Sequence, residues 1–413
     1  MKHYQNSLSI KKANEKKLPF FEMLIIVFFL YYYLLPSAFN NISFVIMLGV
    51  GFVYILYVLL LSTTNSKVLA LVFKFLGCVI FVTLCYYILT QTKTIDTAVG
   101  NYELKRFLSK FQQLFFTFLP LLFTYRVITF ANKKQQALLF VFGLAMIFYV
   151  MVKTFNELSV NDTASRAWSN FTEMEEQNIG TYNFVYAVSV CIPAGFALLI
   201  NTKNMQKRIG IGLFLIVGFV FLVMAKYTLS LLISSALCYL AIFLGTKKKL
   251  TKVIALIITP ALLMFLPYII EFFAVSVTTG GMRTRLLEVA GYFSGESMGY
   301  NLNGRITLYK DTIKAFFDSP IIGNSSLKFD GHATFLTILS DVGLLGAIPF
   351  YWMYFSSRKH VNFMLKNKTQ ERCFLLTFLA VILTGLVNPI HAALPLPMVA
   401  WFFVPLACTI FIK

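Results

Sequence analysis

Apolar residues occur along this chain in runs of about 20, separated by short polar stretches. A helix of that length crosses the hydrocarbon core of a bilayer, and lipid offers no partner for free backbone groups, so each run predicts a membrane-spanning helix. The first run follows a basic leader, but it is long and no small-residue cleavage site follows it, so we expect it to be retained. The predicted spans are twelve: 19–36, 42–62, 68–90, 111–131, 137–153, 183–201, 211–226, 229–245, 253–273, 333–354, 373–388 and 392–412.

The composition agrees with this pattern. Of the 413 residues, 58% are hydrophobic and only 13% are charged, which is too apolar for a water-soluble globule. We therefore expect an all-α polytopic membrane protein of about twelve transmembrane helices, with 1–413 forming one integral membrane domain. The six cysteines fall within or at the edges of the predicted spans and lack metal-ligand spacing, so we expect neither disulfides nor a metal site.

The net charge of +19 is distributed unevenly along the chain. With the amino terminus in the cytoplasm, 22 of the 36 basic residues lie in predicted cytoplasmic segments, and only Glu15 and Glu371 oppose them there. This bias is what the positive-inside rule predicts, so we interpret the charge as a signal of topology and not of nucleic-acid binding. It places both termini in the cytoplasm.

Three predicted external segments are long enough to fold over the membrane: 91–110, 154–182 and 274–332. The last is a large extracytoplasmic loop between helices 9 and 10, and we expect it to carry the active site. Within it, apolar residues from Ile306 to Asp318 recur at helical spacing, with Thr307, Lys310, Asp311 and Lys314 on the opposite face. This pattern predicts an amphipathic helix lying on the outer surface, with its apolar side in the membrane or against the bundle.

Several polar residues of this region are candidates for chemistry. Arg305 is expected in the first turn of the surface helix, where a guanidinium and a helix amino terminus could jointly hold an anion. Arg283 and Arg285 precede it in the same loop. The alternative for all three is contact with solvent or lipid headgroups.

His332 ends the loop at the mouth of the next span. Its ordinary pKa of about 6.5 leaves it largely neutral and able to accept a proton near neutral pH, although an interfacial structural role is the alternative. Asp341 lies inside the following span, where a carboxylate is costly and therefore invites a functional explanation, or a buried donor to pair with. His391, in the last external turn, is a second candidate base with a more plausible structural role.

Two charged residues near other predicted span ends have simpler alternatives. Lys226, at the external turn between spans seven and eight, either faces the same vestibule as Arg305 or extends to the interface. Glu22, near the start of the first span, is expected to reach the cytoplasmic interface in the same way.

The order of residues from Asn303 to Ala347 resembles that of the O-antigen ligase and Wzy-type polysaccharide polymerase family. The matching elements are Gly304 and Arg305 before an amphipathic segment, Ser319 to Gly323 after it, His332 opening a span, and Asp341 to Gly346 within that span. The chain departs from the family pattern in two places: Ala333 follows the histidine where the family usually has asparagine, and Leu231 follows Ser230 where the family usually has arginine.

The resemblance implies a glycosyltransferase C-like helical scaffold that transfers glycans from undecaprenyl diphosphate carriers without a metal or other cofactor. It implies that Arg305 contacts the carrier diphosphate and that His332 activates the acceptor hydroxyl. Because of the second departure, the second phosphate-binding cation would be Lys226, Arg283 or Arg285. The expected partners are lipid-linked glycan donor and acceptor, membrane lipids and other polysaccharide assembly proteins.

Three functions are compatible with these features. The first is polymerisation of lipid-linked repeat units of a capsule, O-antigen or similar polysaccharide on the outer face of the bacterial cytoplasmic membrane. The second is a ligase that transfers the glycan to lipid A core or to protein. The third is a flippase or other transporter of the same lipid-linked oligosaccharide, which would favour internal repeats and ionisable residues near the midplane.

Overall fold

A computed structural model of the chain describes residues 17–61, 66–93, 100–161, 164, 171–245, 253, 265, 268–276, 283–284, 286–287, 290–291, 300–324, 333–390 and 393–412. All regular secondary structure in these ranges is helical, which confirms the predicted helical class.

The structure has fourteen named helices within the described residues. In chain order they are α1 (Phe20–Leu34), α2 (Pro36–Asn41), α3 (Phe44–Leu61), α4 (Ser66–Lys93), α5 (Gly100–Phe130), α6 (Lys133–Val160), α7 (Phe171–Glu176), α8 (Tyr182–Asn201), α9 (Met205–Met224), α10 (Thr228–Gly245), α11 (Tyr300–Asp318), α12 (Thr334–Met364), α13 (Lys368–Val387) and α14 (Pro395–Phe411). The middle of α14, Val399–Phe403, is π-helical.

Eight of the described helices are long and apolar enough to cross a membrane: α3, α4, α5, α6, α8, α9, α12 and α13. Three shorter apolar helices, α1, α10 and α14, coincide with three further predicted spans. The ninth predicted span, 253–273, lies mostly outside the described residues, so the total of twelve stays a prediction. Much of the predicted external segment 91–110 continues α4 or begins α5, because these helices reach Lys93 and Gly100.

The bundle has two ends that contacts between helices define. The Gln135 side chain bonds the backbone of Leu18 at 2.9 and 3.1 Å, and the ring of Phe140 lies 5.4 Å from that of Phe411. The Gln370 amide donates to the carbonyl of Ile412 at 2.7 Å. Residues 18 and 412 therefore lie at one end, called here the termini end. The opposite end, called the loop end, holds α2, α7, the start of α12 and the carboxyl end of α13.

Asparagine caps begin three of the helices at the termini end. Asn132 accepts a bond from the Gln135 amide, Asn204 from that of Lys207, and Asn367 from those of Thr369 and Gln370. Each cap satisfies an amide that a helix leaves without a partner in its first turn. These local signals fix where α6, α9 and α13 start.

Hydroxyl groups from neighbouring helices satisfy carbonyls that prolines release inside the bundle. A proline has no N–H, so the carbonyl four residues before it loses its partner in the helix. Pro120 releases Phe116, which accepts from Tyr33 at 2.8 Å, and Pro193 releases Ser189, which accepts from Ser234 at 3.0 Å. Pro405 likewise releases Trp401, whose carbonyl accepts from Thr124. In lipid these bonds replace those that water would supply.

Glu22 does not reach an interface, and that prediction is wrong. Its side chain is fully buried, and both its oxygens accept bonds from Arg126 at 2.6 and 2.7 Å, while the Tyr54 hydroxyl donates to it at 3.1 Å. The Arg126 guanidinium also lies 4.4 Å from the centre of the Phe130 ring. A carboxylate at the start of a span is stabilised here by pairing with α5 because that leaves neither charge alone in the interior.

Candidate functional site

α12 is interrupted at Gly343, in its third turn. Gly343 has φ 57° and ψ −165°, a conformation available almost only to glycine. The chain after α11 fills the interruption: the Leu344 and Leu345 amides donate to the carbonyls of Pro320 and Ile321 at 2.8 and 3.0 Å. The Asn324 amide donates to the Ser340 carbonyl at 2.7 Å. Both broken halves of α12 are thus hydrogen-bonded to one turn.

Two glycines make this contact possible. A Cβ added to Gly323 would collide with the Asp341 carbonyl and the Gly343 amide, and one added to Gly343 would collide with the Ile321 carbonyl and the Gly323 amide. Gly323 also has a positive φ of 80°. The two segments singled out in the sequence, 319–323 and 341–346, are therefore packed backbone against backbone. We call this contact the glycine junction.

Asp341 lies directly before the glycine junction and is buried, with 9% of its surface exposed. The Tyr86 hydroxyl of α4 donates to its carboxylate at 3.2 Å. The Lys110 ammonium of α5 lies 5.0 Å from the centre of the Tyr86 ring. Asp341, Tyr86 and Lys110 thus connect three helices, because the Tyr86 ring contacts a cation and its hydroxyl bonds a carboxylate.

Arg305 lies in the second turn of α11, not in the first, because the helix begins at Tyr300. A helix over the predicted residues is confirmed, but this position removes the expected help from the helix amino terminus. Arg305 is half-buried, and its guanidinium donates to the Val387 carbonyl at 3.3 Å. Tyr309, one turn later on the same face, donates to that carbonyl at 3.2 Å. α11 is thereby attached to the carboxyl end of α13.

The exposed and buried faces of α11 differ in part from the predicted ones. Thr307, Lys310, Asp311 and Lys314 are exposed, as expected, but Phe317 is also 71% exposed and Ile313 43%. The buried positions are Thr312 and Ala315, on the side that carries Arg305 and Tyr309. The apolar residues of α11 therefore divide between the side that packs on the bundle and the exposed side.

The start of α12 is attached to the same end of α13. The Thr334 amide and hydroxyl both donate to the Asn388 carbonyl at 3.3 Å, and the Ile390 amide donates to the Thr334 hydroxyl at 2.7 Å. Because Arg305 bonds the preceding carbonyl, Val387, its guanidinium lies close to the first turn of α12. His332, two positions before Thr334, lies outside the described residues, as do Arg285 and His391.

The buried polar atoms at the loop end that have no hydrogen-bond partner among the described residues include four on α10 and at the carboxyl end of α13. They belong to Thr228 and Ser230 of α10, Thr384 of α13, and the Asn388 amide nitrogen. α10 and α13 run antiparallel, since Arg372 at the start of α13 donates to Leu244 at the end of α10, so all four lie near the same end. A buried polar group without a partner calls for a functional or solvent explanation.

Lys226 ends α9 in the turn that leads to α10, the position predicted for it. Its φ is 59°, the left-handed conformation, and the amides of Lys226 and Tyr227 bond the carbonyls of Val223 and Leu222. This is a Schellman cap, where glycine is usual. Leu286 and Ala290, in the segment of the loop that includes Arg283, pack near Val223 and Leu231 on either side of this turn.

The remaining cation, Arg283, is exposed in a short helical piece. The structure thus brings Arg305 to the start of α12 and the Arg283 segment to the Lys226 turn. Tyr86, Lys110, Tyr309, Thr334 and Asn388 were not anticipated from the sequence. The one available signal was Asp341, because a carboxylate inside a span requires a donor, and Tyr86 supplies it.

No protein-family model matches the chain, and a search of curated proteins finds no relative.

Proposed function

We propose that this chain is a metal-independent glycosyltransferase of the bacterial cytoplasmic membrane that polymerises undecaprenyl diphosphate-linked repeat units into a surface polysaccharide. The observation that carries the proposal is the glycine junction. The two sequence segments on which the family resemblance depends, separated by the loop residues that include His332, are in direct backbone contact. Asp341 belongs to this contact on α12, and Arg305 lies about four turns before it on α11, so the matching segments are connected through one pair of packed elements.

In the proposed reaction a hydroxyl of the incoming repeat unit attacks the anomeric carbon of the growing glycan. The new glycosidic bond forms as the bond from that carbon to the diphosphate oxygen breaks. The hydroxyl proton passes to His332, and undecaprenyl diphosphate leaves with the electron pair. A positioned base typically contributes roughly a hundred- to ten-thousand-fold in rate.

Departure of the diphosphate increases negative charge on its oxygens, so cations held nearby stabilise the transition state more than the ground state. Arg305 is the proposed first cation. Its attachment to the Val387 carbonyl fixes the guanidinium before substrate binds. Lys226 is favoured over Arg283 as the second cation because it is half-buried in a defined turn, whereas Arg283 is exposed.

The proposed orientation puts the loop end outside and the termini end in the cytoplasm. The basic residues at the termini end support it: Lys133, Lys134, Lys203, Lys207, Arg208, Lys366 and Lys368 lie in the connections there or in the helix turns beside them. Asp311, Glu173 and Glu176 lie on helices of the loop end.

A ligase would use the same chemistry with lipid A core or protein as the acceptor, and it remains an alternative. One observation favours a transporter: an interrupted helix with a buried carboxylate is a common feature of transporter binding sites. In α12, however, the turn 320–324 already bonds both sides of the interruption. This arrangement leaves those backbone groups engaged, which supports chemistry at the loop over passage through the break.

The test compares surface polysaccharide from a deletion strain complemented with wild type, Arg305→Ala, Tyr309→Phe, Lys310→Ala or His332→Ala, with membrane levels of each protein measured. We expect Arg305→Ala and His332→Ala to accumulate single repeat units. Tyr309→Phe removes the other bond to Val387 but no charge, and Lys310→Ala removes an exposed charge from the opposite face of α11, so both should retain a ladder.

Each other outcome points elsewhere. A normal ladder from well-expressed His332→Ala or Arg305→Ala overturns the assigned roles. Loss of the ladder in Tyr309→Phe as well would mean that Arg305 acts by attaching α11. A deletion strain in which single units never reach the outer face supports the transporter, and one with free polymer that is not attached to an acceptor supports the ligase.

A further inference from the structure

A slot of about 180 Å³ lies in the membrane-embedded part of the bundle, away from the candidate site. Its sides are α6 and α9, and its floor is formed by Cys191, Ala194 and Leu198 of α8 with Phe403 and Ala407 of α14. Lys207 supplies the one charged side chain among the residues that line it. The proposed transfer reaction uses none of these residues.

On the loop-end side of the slot, aromatic side chains join α6 to α9. There the ring of Phe148 lies 6.1 Å from that of Phe214, and the ring of Phe155 lies 5.7 Å from that of Phe221. Towards the termini end the α9 position that lines the slot is Gly210, which has no side chain to fill the space between the helices. A Cβ added to Gly210 would meet no atom within 4 Å.

A cation lies at the termini end of this slot. The Lys207 ammonium donates to the Ile410 carbonyl at 3.0 Å and lies 5.4 Å from the centre of the Phe411 ring. These two contacts fix the position of the ammonium group. Lys207 itself belongs to the first turn of α9, where a span reaches the headgroup layer. Lys203 and Arg208, both exposed, add positive charge beside it.

An apolar slot with a cation at the level of the headgroups is complementary to a lipid with an anionic head. We propose that the slot binds one acyl chain of an anionic phospholipid of the bilayer, with the lipid phosphate at Lys207. A cavity of about 150 Å³ holds a benzene molecule, so this slot takes a segment of one chain, and the rest of the lipid stays in the surrounding leaflet.

The acyl chain alone gives the lipid little preference for the slot, because lipid tails elsewhere in the bilayer are equally apolar. Selectivity for this lipid therefore comes from the charge. A lysine near an anionic headgroup changes lipid affinity by about fivefold. Filling the slot also restores van der Waals contacts that Phe140, Leu144 and Phe214 otherwise lack on one side.

The test uses the purified full-length protein in neutral detergent, with thermal unfolding followed during titration with phosphatidylglycerol or with phosphatidylcholine of the same chains. We expect phosphatidylglycerol to raise the unfolding temperature of wild type by roughly 3 °C or more at saturation. Phosphatidylcholine should act at concentrations about five times higher.

Gly210→Leu puts a side chain at the mouth of the slot, where its Cβ meets no atom within 4 Å, and it should abolish the response to both lipids. Gly49→Leu is its matched control, since Gly49 is also an exposed helical glycine with nothing within 4 Å of an added Cβ, and it lies on α3. This variant should respond like wild type. Lys207→Gln should make the two lipids equivalent, while Lys207→Arg should keep the preference.

The proposal is overturned if Gly210→Leu responds like wild type, or if wild type does not distinguish the two lipids. A polyprenyl phosphate that displaces phosphatidylglycerol at lower concentration would assign the slot to a carrier lipid and likewise overturn the proposed occupant. If Lys207→Gln fails to fold because its bond to Ile410 is lost, Lys207→Arg and the glycine pair decide the outcome. None of these results depends on whether the chain is a polymerase.

Discussion

At the residue scale, Lys226 combines a cost in its backbone with a charge at the loop end. The left-handed conformation costs a residue with a Cβ about 1–2 kcal/mol, which glycine avoids. A lysine in a position where glycine would be more stable therefore indicates that the side chain has a function. Lys226→Gly should raise the free energy of unfolding by up to about 1 kcal/mol and at the same time reduce the length of the polysaccharide ladder.

The measurements are thermal unfolding in detergent and the polysaccharide gel, made on the same variant. Lys226→Arg is the control, because it keeps the charge and the backbone cost, and it should behave like wild type in both. A Lys226→Gly protein that is stable and fully active would exclude Lys226 as the second cation and leave Arg283 or Arg285 for that role.

Glu175, also at the loop end, makes stability depend on pH. It is 4% exposed on α7, and its carboxylate accepts bonds from Thr181 at 2.9 Å and Asn40 at 3.5 Å. Burial raises the pKa of Glu175 from 4.5 to about 7, despite the opposing hydrogen bonds from Thr181, Asn183 and Asn40.

Because the folded protein keeps this proton while the unfolded chain loses it, stability should be greatest below pH 4.5, fall by up to about 1.4 kcal/mol per pH unit towards pH 7, and then level off. Unfolding temperatures measured between pH 5 and 8 test this directly. Glu175→Gln should remove the fall over that range. An unchanged pH dependence in this variant would show that other groups cause it.

At the scale of elements, the glycine junction holds the surface helix to the bundle. Gly343→Ala introduces a Cβ at φ 57° and a collision with Ile321 and Gly323, so it should lower the free energy of unfolding by about 3 kcal/mol or more. Gly77→Ala on α4, where an added Cβ meets nothing within 4 Å, should change stability by at most about 1 kcal/mol, and in the stabilising direction.

For both variants, stability is measured as the fraction of the protein that stays monodisperse after heating. If Gly343→Ala is as stable as Gly77→Ala, the backbone contact between 320–324 and α12 is not a requirement of the fold. The junction would then not explain why the two segments occur together in the sequence.

At the scale of the whole molecule, the hydropathy pattern predicted the helices well because membrane burial depends on local composition. It also predicted α11, since polar residues such as Lys310 and Lys314 recur with a helical period. The pattern could not identify side-chain partners that are distant in sequence: Glu22 pairs with Arg126, 104 residues away, and Asp341 with Tyr86, 255 residues away. No local pattern contains that information. Arg305 was misplaced by one turn for a different reason: the helix begins at Tyr300, and the sequence shows no evident capping signal there.

Orientation in the membrane concerns the whole chain, and cysteine labelling can determine it. All six native cysteines are free thiols, five of them buried and Cys78 half-buried, so added cysteines give a clear signal with an impermeant maleimide. Lys310→Cys at the loop end should react in intact cells, and Lys203→Cys, exposed at the termini end, should react only after the membrane is permeabilised. The basic connections of the termini end favour this outcome, because positive segments remain in the cytoplasm. The opposite labelling would put Arg305 and the glycine junction inside the cell, where a polymerase of exported repeat units could not act.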